Sequence, residues 1–489
     1  MSAIIRDIFR VNTLSSFINS LATQSLYLGI ARPEYWDTVS SNDVTIPIPD
    51  NTVASVNLDW EDMLALKKIT ISDAIAAIYK EMWQANVKYD TYRHDWNGSR
   101  PIVYNGPNIA PTLPTSIGDV KCVVITDTFG IYICLKQPIV NGIVQPSIYS
   151  PKTGTPVGSA GVVKTADGYY WKFIAVTSPA DLVKFSSTYY HPIETVLTAP
   201  APSDPYYPQW TSQVTSALFK GGIYTINVTS AGTGYHGNVA GVVTVTDSIN
   251  DGNFKVIGNG IGLQYTVTYG ASGSIMDVEI TNPGHGYTYA TITAVGGTGA
   301  SFDIVYTPLT GLGVSPDRDI VARYMIIDTS LTGAEGNGVF TVSNDFRKLM
   351  LIINPYNFGT STIATSAFLD ASYTINVGVG LSAAAYPYDS IVTGSSSGAK
   401  GRIVDFNTVT GNIRIIRTSY ENIGNIGSSN SFIVGETLNT NPGTGTASIV
   451  SITSPGVEKY SGDILYSEYR SPIFRSVSQT EDLKIIVKF

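Results

Sequence analysis

Charge is scarce in this 489-residue chain, where Asp, Glu, Lys and Arg make up only 14% of residues. The Lys and Arg residues form no cluster, and the net charge is −8. Phosphate binding needs a concentrated basic footprint, so neither nucleic acid nor an anionic membrane is an expected partner. Cysteine is nearly absent. Cys122 and Cys134 stand in two apolar runs, KCVVIT and IYICLK, which read as buried thiols on neighbouring strands rather than a disulfide or metal pair. The four histidines, His94, His191, His236 and His285, show no i,i+4 or H-x-H ligand spacing. No apolar run reaches the length of a membrane span. The N-terminal MSAIIRDIFRVN carries charges inside its apolar segment, unlike a signal peptide. These absences lead us to expect a protein made in the cytosol, with reduced thiols and with no membrane insertion, metal or cofactor.

What is present is glycine (46 residues) and tyrosine (30), with abundant Ser and Thr. That composition favours β-rich architecture with many tight turns, and the length allows two to four domains. Thr13 to Ala22 reads as a short helix capped by Thr13, with Leu14, Phe17, Ile18 and Leu21 as its apolar stripe. Asp59 to Ala85 reads as a helix pair. Trp60, Met63, Leu64 and Leu66 line the first helix; Ile75, Ala76, Ile78, Tyr79 and Met82 line the second, opened by Ser72-Asp73. Strands are expected from about 100 to 198, two of them between Ile117 and Lys136, and another after the Asp167-Gly168 turn.

From about residue 215 the texture becomes Gly/Thr/Val-rich, and it repeats. Ile226-Asn227-Val228-Thr229 leads to Gly232-Thr233-Gly234-Tyr235; Val278-Glu279-Ile280-Thr281 leads to Gly284-His285-Gly286-Tyr287. Each unit reads as a strand ending in G-x-G-Y, with glycines free to take positive φ and the tyrosine packed over the bend. A second Gly/Ser/Thr-rich stretch spans 357–456. The C-terminus supplies two more strands, one over Asp463–Tyr469 that breaks at Pro472, and one from Asp482 with Leu483, Ile485, Val487 and Phe489 on one face.

Several segments share a further property. They are Ala31-Arg32-Pro33-Glu34-Tyr35-Trp36, Arg93-His94-Asp95-Trp96, Asp167-Gly168-Tyr169-Tyr170-Trp171, and Asn344-Asp345-Phe346-Arg347 before an apolar strand ending Asn354-Pro355. The C-terminal set is Gly462-Asp463-Ile464-Leu465-Tyr466, Glu468-Tyr469-Arg470-Ser471-Pro472-Ile473 and Gln479-Thr480-Glu481-Asp482-Leu483. In this order they resemble the baseplate wedge protein of T4-like contractile-tailed bacteriophages. The resemblance covers roughly the first 210 residues, about 310–356 and the last thirty. It implies a mainly β fold of two-layer sandwich domains with a short N-terminal helical region, interrupted by two inserted Gly-rich β modules. The corresponding division is core 1–214, module 215–310, core 311–356, module 357–456 and core 457–489. It also implies a structural subunit without catalysis, a homodimer within each wedge. Other wedge proteins, and tail-fibre or peripheral baseplate proteins, would be its neighbours in the virion tail. Arg32, Trp36, Asp95, Trp96, Trp171, Arg347, Arg470 and Pro472 are the expected structural or interface anchors.

Two other classes compete with that reading. The inserted modules could make the chain a receptor- or carbohydrate-binding tail protein. A glycan hydrolase would need paired carboxylates across a cleft, and the acidic residues are too dispersed to place such a pair. Gly394-Ser395-Ser396-Ser397-Gly398-Ala399-Lys400 differs from a phosphate loop in its spacing and lacks the following helix. Gly258-Asn259-Gly260-Ile261-Gly262 lacks the βαβ setting of a dinucleotide site. Arg93-His94-Asp95-Trp96 reads as a pinned loop or subunit contact before a general acid–base group.

Overall fold

The computed structural model describes residues 7–32, 35–36, 40, 42–93, 120–140, 143–236, 243–245, 254–270, 272–332, 345–416, 431–474 and 480–489. The chain is mainly β, with many antiparallel sheets and a few short helices, consistent with multi-domain sandwich architecture. No helix among the described residues is long and apolar enough to cross a membrane. The chain divides into two compact units: residues 1–16, 75–326 and 486–489, and residues 17–74 and 327–485.

The first unit contains a five-stranded sheet in the order Val123–Ile125, Gly130–Lys136, Tyr170–Val176, Val162–Lys164, Thr155–Val157. Tyr89, Val124, Cys134, Tyr169 and Trp171 form its core cluster. The two cysteines are free and buried; Cys134 lies on a strand and Cys122 just before its neighbour, and the Cys134 N–H donates to the Cys122 carbonyl at 2.8 Å.

The G-x-G-Y repeat folds into a module whose core comes entirely from residues 223–306. The opening strand of the first half, Ile223–Thr233, pairs with the closing strand of the second, Thr298–Tyr306. The opening strand of the second half, Ile275–His285, pairs with the closing strand of the first, Ile261–Tyr269. The halves therefore exchange their closing strands. All four motif glycines have positive φ. The bends are held alike: Tyr235 N–H donates to the Gly273 carbonyl at 2.9 Å and Tyr287 N–H to the Gly221 carbonyl at 2.8 Å. Each tyrosine lies over a glycine of the other half. A Cβ on Gly297 would sit 2.7 Å from the Tyr235 ring, and one on Gly260 2.4 Å from the Tyr287 ring. Only glycine allows that approach.

In the second unit the five-stranded sheet runs Phe368–Asp370, Met63–Ile69, Leu26–Ala31, Phe346–Ile353, Asp463–Ile473. Every residue of the central Leu26–Ala31 strand is buried. The 357–456 stretch supplies a seven-stranded sheet whose strands lie within residues 373–453, with a separate core around Ile375, Val392, Ile403, Ile415 and Leu438.

Three sequence expectations are corrected. The helix pair over Asp59–Ala85 is absent. A helix covers Val53–Glu61, capped by Thr52, whose hydroxyl accepts from Ser55 N–H. Strands Met63–Ile69 and Ala74–Tyr79 follow. Met63–Leu66 and Ala74–Ile78 are buried on both faces, so neither strand shows the alternation that marks a half-buried one. The first helix spans Asp7–Ser20, and Thr13 lies inside it, donating to the Phe9 carbonyl rather than capping. The Asp463–Ile473 strand continues through Pro472. It lies at the sheet edge, where a missing N–H costs no ladder bond. The final strand, Thr480–Lys488, alternates as expected, with Leu483 and Ile485 buried between exposed Asp482, Lys484 and Ile486.

Candidate functional site: a buried ion network

The strand register of the second unit sets charged residues side by side. Phe346–Ile353 runs antiparallel to Leu26–Ala31 with Ala31 opposite Lys348, and Lys348 faces Tyr469 on its other side. Arg32 follows directly on the first strand, while Arg347 and Lys348 open the second. All three cations are at least 95% buried, and each has carboxylate partners.

The Arg32 guanidinium donates through Nε to Asp345 and in a fork to Asp389, at 2.5 Å and 2.9 Å. Its charged plane also lies 4.5 Å from the centre of the Tyr388 ring. Arg347 donates from Nη1 to the other oxygen of Asp345 at 2.6 Å, and through Nε and Nη2 to Asp43 at 3.1 Å and 3.0 Å. Asp345 thus bridges two arginines, and the Tyr388 hydroxyl donates to it as well, at 3.2 Å. Lys348 Nζ lies 2.9 Å from Asp59 and 2.7 Å from Asp62. Asp59 accepts in addition from the Tyr469 hydroxyl at 2.7 Å and Ser467 at 3.2 Å.

Burial opposes the charge of Arg32, Lys348, Asp62 and Asp43, and pairing decides the outcome for each. For Arg32, hydrogen bonds to Asp389 and Asp345 override the burial penalty and hold the cation above its ordinary value. For Lys348, the attraction of Asp62 and Asp59 likewise overrides burial. Asp62 goes the other way, since burial outweighs Lys348 and its pKa is raised. One ammonium serves two carboxylates, so it is overcompensated while Asp62 is undercompensated. The hydrogen bond from Arg347 lowers the Asp43 pKa.

Four of the expected anchors meet here. Arg32 and Arg347 share Asp345. Trp36 stacks on Tyr469 with ring centres 5.0 Å apart, and its indole N–H donates to the Arg470 carbonyl at 3.0 Å. Arg470 therefore contributes its backbone, while its side chain is partly exposed and only 3.9 Å from Glu468. Pro472 lies further along the same edge strand. Trp171 belongs elsewhere. It is fully buried in the first unit, stacked on Tyr169 and edge-on to Tyr89, as a core residue. Asp95 and Trp96, with His94, lie outside the described residues. Neighbouring Arg93 pairs with Asp303 at 2.5 Å. Sequence reading missed Lys348, Asp59 and Asp62. The available signal was a lysine immediately before the uniformly apolar Leu349–Ile353 run.

No family model and no curated protein matches this chain.

The remaining sequence motifs resolve locally. The loop at 394–400 does form a nest of backbone N–H groups, and the carboxylate of Glu436 fills it. Ser396 and Ser397 N–H donate to Glu436 Oε2 at 3.0 Å and 2.9 Å, and the Ser397 hydroxyl to Oε1 at 2.8 Å. Gly258-Asn259-Gly260 is the connection between two strands of the duplicated module. No group of three His, Cys, Asp or Glu among the described residues is arranged to hold a metal ion.

His191 is fully buried in the first unit, with Nε2 2.7 Å from the Thr177 hydroxyl and its ring stacked on Phe129. Burial, aided by Lys80, depresses its pKa from 6.5 to about 4. A histidine depressed in the fold contributes stability that is present above its unfolded pKa and lost as pH falls from 6.5 towards 4. This group alone is expected to reduce stability by about 2 kcal/mol at pH 5 relative to pH 8. Urea unfolding at the two pH values, compared with His191→Gln, checks this: the variant should lack that part of the pH slope.

Proposed function

We propose that the chain is a structural subunit of the baseplate wedge of a contractile phage tail, holding neighbouring wedge proteins together and rearranging with the baseplate on infection. One observation carries this reading. Segments of wedge-like sequence around Arg32, Arg347 and Glu468–Pro472, far apart in the chain, are adjacent in one sheet and are fastened by a shared buried network. A protein whose task is to transmit load gains from such multi-partner ion pairs, because they favour one arrangement of the strands over alternatives. The three cations with Asp59, Asp62 and Asp345 are buried and hydrogen-bond one another, with Asp389 and Tyr388 at a partly exposed end, which suits a framework better than a catalytic site.

The implied partners are a second copy of this chain and other wedge proteins. Light scattering over a concentration series, with and without co-expressed tail proteins, tests this. A stable dimer that joins a larger complex is the expected result. A persistent monomer that binds no tail protein would overturn the proposal. It would favour a receptor-binding role for the inserted modules, where Ile257, Ile261 and Tyr289 are exposed.

A further inference from the structure

A cleft of about 330 Å³ opens in the first unit. It is lined by apolar Ile78, Val123 and Ile320, by Tyr79 and Tyr324, and by Arg323. Glu81 and Lys121 line it too, paired with each other at 2.7 Å and each about 30% exposed. Tyr79 is 57% exposed although it ends a strand whose other residues are buried. Tyr190, directly opposite Tyr79 on the next strand, meets the Tyr79 ring edge-on and packs against Tyr324 at 4.7 Å, so the exposed ring is braced from behind.

A second, independent feature lies in the same cleft. Val321 has φ of +56°, a left-handed conformation that a β-branched residue adopts only under strain. It is held there by Val321 N–H donating to the Arg318 carbonyl at 3.2 Å and Ala322 N–H to the Asp317 carbonyl at 2.7 Å. Strain of this kind concentrates at ligand sites. Val321 is one of the residues that line the cleft.

We propose that this cleft binds a saccharide, with one pyranose ring lying on Tyr79 and its hydroxyls bridging Glu81 and Lys121. The chemistry selects that class. A sugar ring has an apolar C–H face for the tyrosine and hydroxyls that both donate and accept. An ion pair offers an acceptor carboxylate and a donor ammonium side by side, matching vicinal hydroxyls. A purely apolar ligand would strip water from the Glu81–Lys121 pair without replacing its hydrogen bonds. A phosphate would meet Lys121 already paired with Glu81, although Arg323 also lines the cleft, so inorganic phosphate that binds in competition with the sugars would count against the proposal. The site is distinct from the ion network and from the exposed face of the duplicated module.

Saturation-transfer NMR on the full chain with cellobiose, maltose and N,N′-diacetylchitobiose tests the proposal. Transfer to the ring protons of at least one sugar is expected. Tyr79→Ala and Lys121→Met should each weaken its binding at least tenfold, with unchanged thermal unfolding. Because Tyr79 also packs on Tyr190, Lys121→Met is decisive if the alanine variant unfolds early. Absence of transfer from all three sugars, or binding retained by Lys121→Met, would overturn it. Neither result bears on the dimer and tail-protein measurements above.

Discussion

Lys348→Met is expected to lower the stability of the second unit by about 3–5 kcal/mol, the usual cost of leaving buried charges without their partner. Methionine preserves the length and packing of the stem, so the loss reports electrostatics rather than a cavity. The variant leaves Asp59 and Asp62 together in the interior, with Tyr469 and Ser467 still donating to Asp59 and the more distant Lys459 as the remaining cation acting on Asp62. Two such carboxylates cannot both stay ionised, and their shared proton affinity rises above that of the unfolded chain. The sign of the pH effect follows. An acid whose folded pKa is raised is penalised above that pKa and relieved below it. The deficit of Lys348→Met should therefore shrink between pH 7 and pH 5. Adding Asp62→Asn should recover part of it at pH 7 while leaving little pH dependence. Denaturant titrations of the single and double variants measure both effects. A variant as stable as the parent at pH 7 would show that the triad contributes nothing net.

Lys172→Met should act in the opposite direction, raising the stability of the first unit by about 1–3 kcal/mol at neutral pH. Lys172 is fully buried in the Tyr170–Val176 strand; among the described residues its ammonium donates to the Ala160 carbonyl at 2.8 Å and lies 5.4 Å from the centre of the Tyr224 ring. Burial depresses its pKa from 10.5 to about 8, against a smaller opposing pull from Asp319. That shift corresponds to a penalty of about 3 kcal/mol for keeping the lysine charged. Loss of the bond to Ala160 offsets part of the gain. Asp319 is itself buried, its pKa raised to about 7 by desolvation. A lysine depressed in the fold costs stability below its unfolded pKa, so the parent should gain stability as pH rises from 8 to 10.5. The variant should lack that rise. Urea midpoints at pH 7, 8.5 and 10 separate the two, and a destabilised variant would mean that the ammonium is well compensated.

The sequence revealed these features unevenly, for physical reasons. The G-x-G-Y repeat was legible because positive φ at two spaced positions can be met cheaply only by glycine. The last strand was legible because one face is wet, so Leu483 and Ile485 alternate with charge. Met63–Ile69 and Ala74–Tyr79 were not, since strands buried on both faces lose the period that separates them from helices. Arg32, Trp36 and Arg347 stood out only through the resemblance of their segments to the wedge protein. Their partners did not. Asp389 lies 357 positions from Arg32, inside the Gly/Ser/Thr-rich stretch. The Asp59–Lys348 pairing depends on a strand order that no local pattern encodes. The strand exchange between the repeats was equally hidden, because two similar segments in tandem read most simply as two self-contained hairpin units.

That exchange has a consequence for how the chain is made. On a ribosome, the Ile223–Thr233 strand emerges long before its partner at Thr298–Tyr306, and until then its edge hydrogen-bonding groups face solvent or chance neighbours. The first half cannot finish folding when its own residues are complete; it must wait for the second half to return a strand. Closure over so long a loop is slow relative to local hairpins. The duplicated module should thus depend on chaperone protection during synthesis, as should the Leu26–Ala31 strand, whose partner Phe346–Ile353 emerges later still. A stop codon placed between the halves should yield an aggregating fragment rather than half a module.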